Sequence, residues 1–326
     1  MKVVLLDNQT LPGDSLPYEE KIFADAGIEF VVCECRTEQD IIDCAKDADG
    51  LLTVYAPLTR KIIEQLPKAK VFVRYGIGYD VIDVQAASDH GIAVCNLPTY
   101  CIPDVALHTI AMIMNANRKI AFYDRSVRRG EWDPGKGYEM HRPDQLTLGF
   151  LGFGNIARMT AELIKPLGFK LIAYDPYLSA DRFAALNAEK VELEKLLALS
   201  DVISLHTPVT AETRHIINQE TIAAMKPGVT IVNTSRGELV DTAALIKGLE
   251  SGHIQAACLD VLEHEPLADE HKRLLDFENV TLSPHTAYFS HESAIDQHCQ
   301  VAESAVAVLR GEKPANIVNR RELGLV

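Results

Sequence analysis

Short apolar runs alternate with helical stretches in the first part of the chain, and the same alternation begins again near residue 146. The runs KVVLLD, EFVVCE, GLLTVY and KVFVRYG have the length and composition of buried strands. Between them, the stretch from Tyr18 to Ala26, EQDIIDCAKDA and RKIIEQLP have helical periodicity. Strands that alternate with helices indicate βαβ units. The pattern predicts an α/β fold with two doubly wound domains, each built on a mostly parallel sheet.

A long helix is predicted between the two domains, from Asp104 to Arg129, beginning just after Pro103. Its first part, VALHTIAMIMNA, is apolar on nearly all sides, which is typical of a helix buried against both domains or against a second subunit. The segment EWDPGKG that follows breaks the helix and returns the chain to a strand.

Length and charge narrow the classes of partner. With 326 residues, the chain fits two domains of roughly 150 residues each. Its formal net charge of −14 would repel nucleic acid and anionic membranes, so direct nucleic-acid binding is not expected. No apolar run reaches the length that spans a bilayer, and Asp7 interrupts the first run too early for a secretory signal. We therefore expect no membrane association and a cytoplasmic location.

The cysteine pattern predicts neither a disulfide framework nor a metal site. The seven cysteines are scattered, odd in number and without a CxxC pair. Cys33 and Cys35 would point to the same face of a strand, and we interpret them as buried free thiols. The segments HEPLADEH and HESAIDQH lack the two-residue gap of the HExxH zinc motif, so no metal ligands are predicted there.

The segment LTLGFLGFGNIARMTAELIKPLGFKLIAYDP contains a glycine motif in a specific setting. Gly152, Gly154 and Ala157 form a GxGxxA element between an apolar strand and a helix, and Asp175 ends the next strand. Gly152 permits a tight turn, Gly154 lets a pyrophosphate approach backbone N–H groups, and the helix N-terminus supplies partial positive charge. An aspartate at this distance binds a ribose diol and repels a 2′-phosphate. The motif predicts a Rossmann-like domain that binds NAD rather than NADP.

Charged residues follow three later apolar runs. Arg236 comes after TIVNTS, Asp260 comes after AACL and is followed by Glu263 and Glu265, and His285 comes after VTLSP. Ligands of open α/β sheets bind outside the carboxyl ends of the strands, so these side chains are expected to converge on one site. Taken alone, His285 could be a surface residue, a core residue, a metal ligand or a general acid.

These motifs, with the glycine loop, resemble the family of D-isomer-specific 2-hydroxyacid dehydrogenases over nearly the whole chain. The resemblance implies an NAD-dependent oxidoreductase that transfers a hydride between nicotinamide and a small D-2-hydroxy acid/2-oxo acid pair. In that interpretation Arg236 binds and polarises the substrate. His285 is the general acid-base, and Glu265 hydrogen-bonds and orients its ring.

The resemblance also implies a division of the chain. Residues 1–100 and 291–326 would form a flavodoxin-like substrate domain, into which an NAD-binding domain of residues 101–290 is inserted. Ile77 and Gly78, in VRYGIGYDVID, would bind the substrate together with Arg236 and His285, although the loop could also be a plain glycine turn. The implied cofactor contacts are Gly152, Gly154, Asn155, Ile156, Asp175, His206, Thr207, Pro208, Thr234, Ser235, Arg236, Asp260 and His285.

Within the family, RYGIGYDVID, GIAVCNLPTY and SPHTAYFSHES are similar to the branch that includes the C-terminal-binding proteins, except that Tyr288 stands where that branch commonly has tryptophan. The resemblance is compatible with two alternative functions: a metabolic dehydrogenase, or an NAD(H)-sensing binding protein with weak or vestigial dehydrogenase activity. The helix after Pro103, with Trp132 beyond it, resembles the arm through which such enzymes form homodimers. Which 2-hydroxy acid is the substrate is not decided by the sequence.

Overall fold

The computed structural model describes residues 1–8 and 16–325. The chain divides into two compact units, one formed by Met1–Tyr100 with Ser290–Val326 and the other by Cys101–Phe289. Both units are α/β structures with an all-parallel sheet, as the alternating pattern predicts. Along the described ranges, no helix is both long and apolar enough to cross a bilayer.

The first unit is built on a five-stranded sheet with the order β2-β1-β3-β4-β5, which is the flavodoxin-like order. The predicted strands and helices are present, and most end a few residues earlier than the apolar patterns suggest. The strands are β1 (Lys2–Leu5), β2 (Glu29–Val32), β3 (Gly50–Thr53), β4 (Val71–Arg74) and β5 (Ala93–Cys95). The helices are α1 (Leu16–Ala26), α2 (Glu38–Ala45), α3 (Arg60–Ile63), α4 (Val84–Asp89) and the C-terminal α12 (His291–Leu309).

The second unit has a seven-stranded sheet. Its strands are β6 (Thr147–Leu151), β7 (Lys170–Tyr174), β8 (Ala188–Lys190), β9 (Val202–Leu205), β10 (Val229–Asn233), β11 (Ile254–Leu259) and β12 (Val280–Leu282). The helices are α5 (Ile102–Arg118), α6 (Ile120–Arg128), α7 (Asn155–Ile164), α8 (Ala180–Ala184), α9 (Leu193–Leu199), α10 (Gln219–Ala223) and α11 (Thr242–Glu250). The strand order is β12-β11-β10-β9-β6-β7-β8. The order reverses between β6 and β9, which is where open α/β sheets bind ligands.

The prediction of one helix from residue 104 to 129 is wrong at its centre. Lys119 has a left-handed backbone (φ 55°) that separates α5 from α6. Its buried ammonium donates to the carbonyl oxygen of Lys136 at 2.6 Å and lies over the rings of Tyr123 and Tyr138. Within the single chain, Leu107 in the first part of the helix is 58% exposed, so burial of that side against a second subunit stays a prediction.

The cysteine prediction needs a correction. The sulfur atoms of Cys33 and Cys44 are joined in a disulfide, so the free-thiol interpretation is wrong for Cys33. The cause is non-local: α2 returns the chain over the end of β2, a pairing that residue spacing does not reveal. The thiols of Cys35, Cys95, Cys101 and Cys258 are free and buried, and that of Cys299 is free and partly exposed.

Candidate active site and cofactor site

The glycine motif forms a tight turn at the point where the strand order reverses. Gly152 follows β6 with φ +89°, and a Cβ atom there would lie 2.7 Å from the carbonyl oxygen of His206. Only glycine tolerates both the backbone angle and this contact. Gly154 is the N-cap of α7, and space is open where its Cβ atom would lie. Backbone N–H groups at this helix start are therefore accessible to an anion.

Asp175 is fixed beside this turn. Its Oδ2 atom accepts a hydrogen bond from the Phe153 N–H at 3.0 Å, and its Oδ1 atom accepts one from the Tyr177 N–H at 2.9 Å. The carboxylate is partly exposed, and each oxygen retains a lone pair for a further donor. A ribose diol supplies two such donors.

Next to the turn, the hydroxyl of Thr207 is buried and has no hydrogen-bond partner among the described residues. Its backbone carbonyl accepts from the Ser235 hydroxyl at 2.8 Å, which ties the ends of β9 and β10 together. Buried hydroxyls are almost always hydrogen-bonded, so this one indicates a ligand contact. With the open turn and Asp175, these residues fit a dinucleotide.

His206 stays neutral over a wide pH range. Desolvation by burial lowers the pKa of its imidazole to about 3. The Nε2 atom lies 2.8 Å from the Ser204 hydroxyl, and the ring packs near that of Phe150. The imidazole ring is therefore uncharged at this position.

Arg236 lies in the loop after β10, and this loop is held by hydrogen bonds from Asn233 and by a close backbone contact at Gly237. The Asn233 side chain donates to the Arg236 carbonyl at 2.8 Å and accepts from the Ser235 N–H at 3.0 Å. At Gly237 a Cβ atom would lie 1.9 Å from the carbonyl carbon of Leu262, so only glycine permits this approach between the segments that follow β10 and β11. The contact brings Arg236 toward the segment that carries Glu265.

Glu265 and His285 form a direct pair. The His285 Nδ1 and Glu265 Oε2 atoms are 2.7 Å apart, and Glu265 Oε1 accepts from the Leu262 N–H at 3.0 Å. Burial raises the pKa of Glu265, but the hydrogen bond and charge of His285, the Leu262 N–H and the charge of Arg236 together lower it below its usual value. Glu265 is therefore an ionised acceptor, and the Nε2 edge of His285 is left for another partner.

The backbone of His285 is held in a left-handed conformation, with φ 50°. Its N–H donates to the Asp260 carbonyl at 2.7 Å. The Asp260 carboxylate accepts from the N–H groups of Thr286 and Ala287, both at 2.9 Å, and from the Ser283 hydroxyl. Asp260 is only 2% exposed, so it fixes the segment that carries the histidine.

In the first unit, the loop after β4 presents backbone donors. Three successive backbone carbonyls in this loop accept hydrogen bonds. The Tyr75 carbonyl accepts from the Gln297 side chain at 3.1 Å, and the Gly76 carbonyl accepts from the Leu97 N–H at 2.8 Å. The Ile77 carbonyl accepts from the Asn96 side chain at 2.7 Å. In contrast, the N–H groups of Ile77 and Gly78 meet no acceptor within the described ranges. The loop thus offers two unpaired donors.

Residues 110–287 match the family model described as "D-isomer specific 2-hydroxyacid dehydrogenase, NAD binding domain", which is more than half of the 326 residues. The chain belongs to that family. It is an NAD-dependent D-2-hydroxyacid dehydrogenase. The identity that the motifs imply is confirmed, and NAD as cofactor is confirmed with it.

Named relatives of the dehydrogenase differ in length and substrate. It is 40% identical over 287 residues to a glyoxylate reductase of Korarchaeum cryptofilum, covering 86% of this chain and 85% of that protein. It is 39% identical over 303 residues to a D-3-phosphoglycerate dehydrogenase of Methanocaldococcus jannaschii, covering 92% of this chain but 57% of that protein. Among solved structures, a D-lactate dehydrogenase of Aquifex aeolicus complexed with NAD and lactic acid superposes with a TM-score of 0.85 at 27% identity, with 96% of each chain covered.

In the dehydrogenase, several residues that are expected to contact the cofactor also have hydrogen-bond partners within the protein. The Thr234 hydroxyl is buried and pairs with that of Thr109 on α5 at 2.7 Å. The Pro208 carbonyl accepts from Thr213, and the Asn155 side chain accepts from Arg158. Ile156, in the first turn of α7, is partly buried. For these residues, as for all the other expected cofactor contacts, a contact with NAD stays a prediction.

Sequence reasoning missed His108, Gly237 and Asn233. His108 lies on α5 with its Nε2 atom 3.0 Å from the Ser283 hydroxyl and 3.6 Å from Asp260 Oδ1. No local motif marks it, since its partners lie more than 150 positions later. The glycine after Arg236 and the asparagine before it were visible signals, because such residues are typical of tight strand-end loops.

Proposed function

We propose that the dehydrogenase reduces a small 2-oxo acid, of the size of glyoxylate, and that His285 is the proton donor of the reaction. The observation that carries the proposal is the His285–Glu265 pair at 2.7 Å, with the charge of Arg236 acting on the same glutamate. The size class is supported by relatives called glyoxylate reductase, of which this chain covers 85% and 86%.

In this mechanism the two nitrogens of His285 have separate tasks. The Nδ1 atom donates to ionised Glu265, which fixes the ring and stabilises its protonated form. The Nε2 atom then gives its proton to the substrate carbonyl oxygen while the carbonyl carbon receives a hydride. Bound NADH supplies that hydride. In the reverse direction neutral His285 takes the hydroxyl proton.

Arg236 supplies the substrate charge contact. A guanidinium matches the two oxygens of a 2-oxo carboxylate in geometry and charge, which orients the carbonyl and polarises it. The unpaired N–H groups of Ile77 and Gly78 are suitable donors for the same kind of carboxylate. We assign them as substrate contacts on the basis of their own loop geometry.

For the cofactor, the open start of α7 would hold the pyrophosphate, Asp175 the ribose diol, and the unpaired hydroxyl of Thr207 a further polar group. The carboxylate of Asp175 would repel a 2′-phosphate, since like charges at hydrogen-bonding distance are unfavourable. We therefore expect NADH to be used in preference to NADPH.

We further propose that the dehydrogenase is a homodimer that associates through α5, α6 and the segment after them. Leu107, Ile120 and Trp132 are 58%, 63% and 88% exposed. These large apolar side chains lie on three consecutive segments of the chain, and exposed apolar side chains that form a patch favour an interaction surface. Cytoplasmic location likewise stays a prediction.

The test is NADH oxidation by the purified protein across glyoxylate, hydroxypyruvate, pyruvate and bulkier 2-oxo acids, with NADPH as comparison. We expect turnover with the smallest acids and preference for NADH.

An Arg236→Lys variant keeps the charge but loses the planar guanidinium, so its kcat/KM should fall by roughly 10- to 100-fold. Arg142→Lys, at an exposed position, is the matched control. Tight NADH binding without turnover on any acid would refute the proposal and support the NAD-sensing alternative.

A further inference from the structure

Three cysteine sulfurs of the first unit converge at the end of β2. The sulfur atoms of Cys33, Cys35 and Cys44 all lie within 4.8 Å of one another. This cluster belongs to the first unit, whereas Arg236, Glu265 and His285 belong to the second. None of these three cysteines has a part in the proposed dehydrogenase mechanism.

The convergence results from the backbone. The N–H groups of Cys33 and Cys35 donate to the carbonyls of Leu5 and Leu6, each at 2.8 Å, which holds the segment after β2 beside the end of β1. The helix α2 begins at a capping box made by Thr37 and Asp40. Its last turn brings Cys44 beside the same segment.

Three sulfurs at one point suit a soft metal ion. Thiolates are preferred ligands of zinc, and a coordinated metal ion deprotonates a thiol on binding it. With Cys33 and Cys44 reduced, Cys35 would supply the third sulfur ligand at this position.

We propose that, when its cysteines are reduced, the chain binds a thiophilic divalent ion of the Zn²⁺ class through Cys33, Cys35 and Cys44. Three thiolates with zinc–sulfur distances of about 2.3 Å would lie about 3.8 Å apart. The Cα atoms of Cys33 and Cys44 are 6.9 Å apart, a separation that suits two sulfurs bridged by an ion. Cys33 and Cys44 are partly exposed and Cys35 is buried, so water completes the fourth position.

The disulfide and the ion exclude each other. A phosphine reductant supplies two electrons, and water supplies two protons and the oxygen that ends on the phosphine oxide; together they convert the Cys33–Cys44 bond to two thiols. Binding then forms three sulfur–metal bonds and releases three protons, one from each thiol. The oxidised chain keeps only the Cys35 thiol at this position and loses the site.

The test is a titration with Co²⁺, a spectroscopic substitute for Zn²⁺, on protein reduced with a phosphine under nitrogen and then freed of the reductant. We expect one equivalent of Co²⁺ to give thiolate-to-cobalt charge-transfer absorption, and one equivalent of Zn²⁺ to remove it. Cys35→Ser should weaken Zn²⁺ binding by at least about 100-fold. Cys299→Ser, which alters a free thiol of the same unit, should leave the affinity unchanged.

Because Cys35 is buried, circular dichroism must show that the Cys35→Ser variant is folded. If that variant is unfolded, Cys44→Ser, at a partly exposed position, replaces it in the measurement of Zn²⁺ affinity. Absence of the charge-transfer absorption from the reduced chain would overturn the proposal. Equal affinity in the reduced and oxidised chains, or in Cys44→Ser and the unaltered chain, would overturn it as well.

Discussion

At the scale of single residues, the position of His285 depends on its backbone as well as on its partner Glu265. A left-handed backbone is uncommon for residues other than glycine and must be held by the surrounding structure. Asp260 does this by accepting from two N–H groups just beyond the histidine while its own carbonyl accepts the His285 N–H. We therefore propose that Asp260 positions His285.

A pH-dependent loss of stability is expected at His206. The pKa of its ring is lowered to about 3 in the fold from the ordinary value of 6.5. The unfolded chain therefore binds more protons between these values, and the stability contributed by neutral His206 is complete above pH 6.5 and lost as the pH falls toward 3. The slope is at most about 1.4 kcal/mol per pH unit.

Urea unfolding of the unaltered chain and of His206→Gln at several pH values measures this effect. The difference between the two free energies of unfolding should shrink as the pH falls from 6.5 to 4. His141→Gln, at an exposed position, should show no such trend. Parallel curves for the unaltered chain and His206→Gln would contradict the expectation.

Residue types at strand ends are visible in the sequence, but their orientations are not. The positions of Arg236, Glu265 and His285 follow from three apolar runs that become adjacent parallel strands. The direction of the Asp260 carboxylate depends on the loop that follows β12, and the part played by His108 depends on how α5 packs. Both are products of tertiary structure rather than of local pattern.

At the scale of elements, the loop after β4 depends on a helix from the other end of the chain. Gln297, on α12, is 4% exposed and donates to both the Tyr75 carbonyl and the Tyr100 hydroxyl. This contact fixes the loop through its carbonyl groups and leaves the N–H groups of Ile77 and Gly78 without an acceptor among the described residues. No spacing in the sequence links residues 75 and 297.

Replacing Gln297 should therefore affect substrate affinity more than the chemical step. In Gln297→Leu we expect the KM for the 2-oxo acid to rise about 3- to 10-fold, as loss of one hydrogen bond predicts, with kcat and NADH affinity nearly unchanged. Gln300→Leu, on the same helix but partly exposed, is the matched control. An unchanged KM in a folded Gln297→Leu protein would show that this loop does not bind the substrate.

At the scale of the whole molecule, the alternation of apolar and helical stretches was sufficient to predict two parallel α/β units. Strand order could not be predicted from it, because each crossover joins segments whose neighbours are set by packing. The same limit applies to the cysteines: Cys33 and Cys44 meet only after α2 folds back over β2. Periodicity likewise predicts α5 but not the left-handed residue that ends it.

The homodimer is a prediction at the same scale. Light scattering should give twice the chain mass for the unaltered protein and a lower mass for Leu107→Glu, because a charge in an apolar interface is costly. Leu275→Glu provides a control, since Leu275 is similarly exposed, at 61%, on a different segment. A monomeric mass for the unaltered protein would contradict the proposal.

If His285 is the proton donor, its loss must appear in the steady-state rate of NADH oxidation by His285→Ala. We expect kcat/KM with the preferred 2-oxo acid to fall by about 10²- to 10⁴-fold. The NADH dissociation constant should change little, and His141→Ala should behave like the unaltered enzyme. A His285→Ala protein that is folded, binds NADH and retains more than a tenth of the original kcat/KM would contradict the claim.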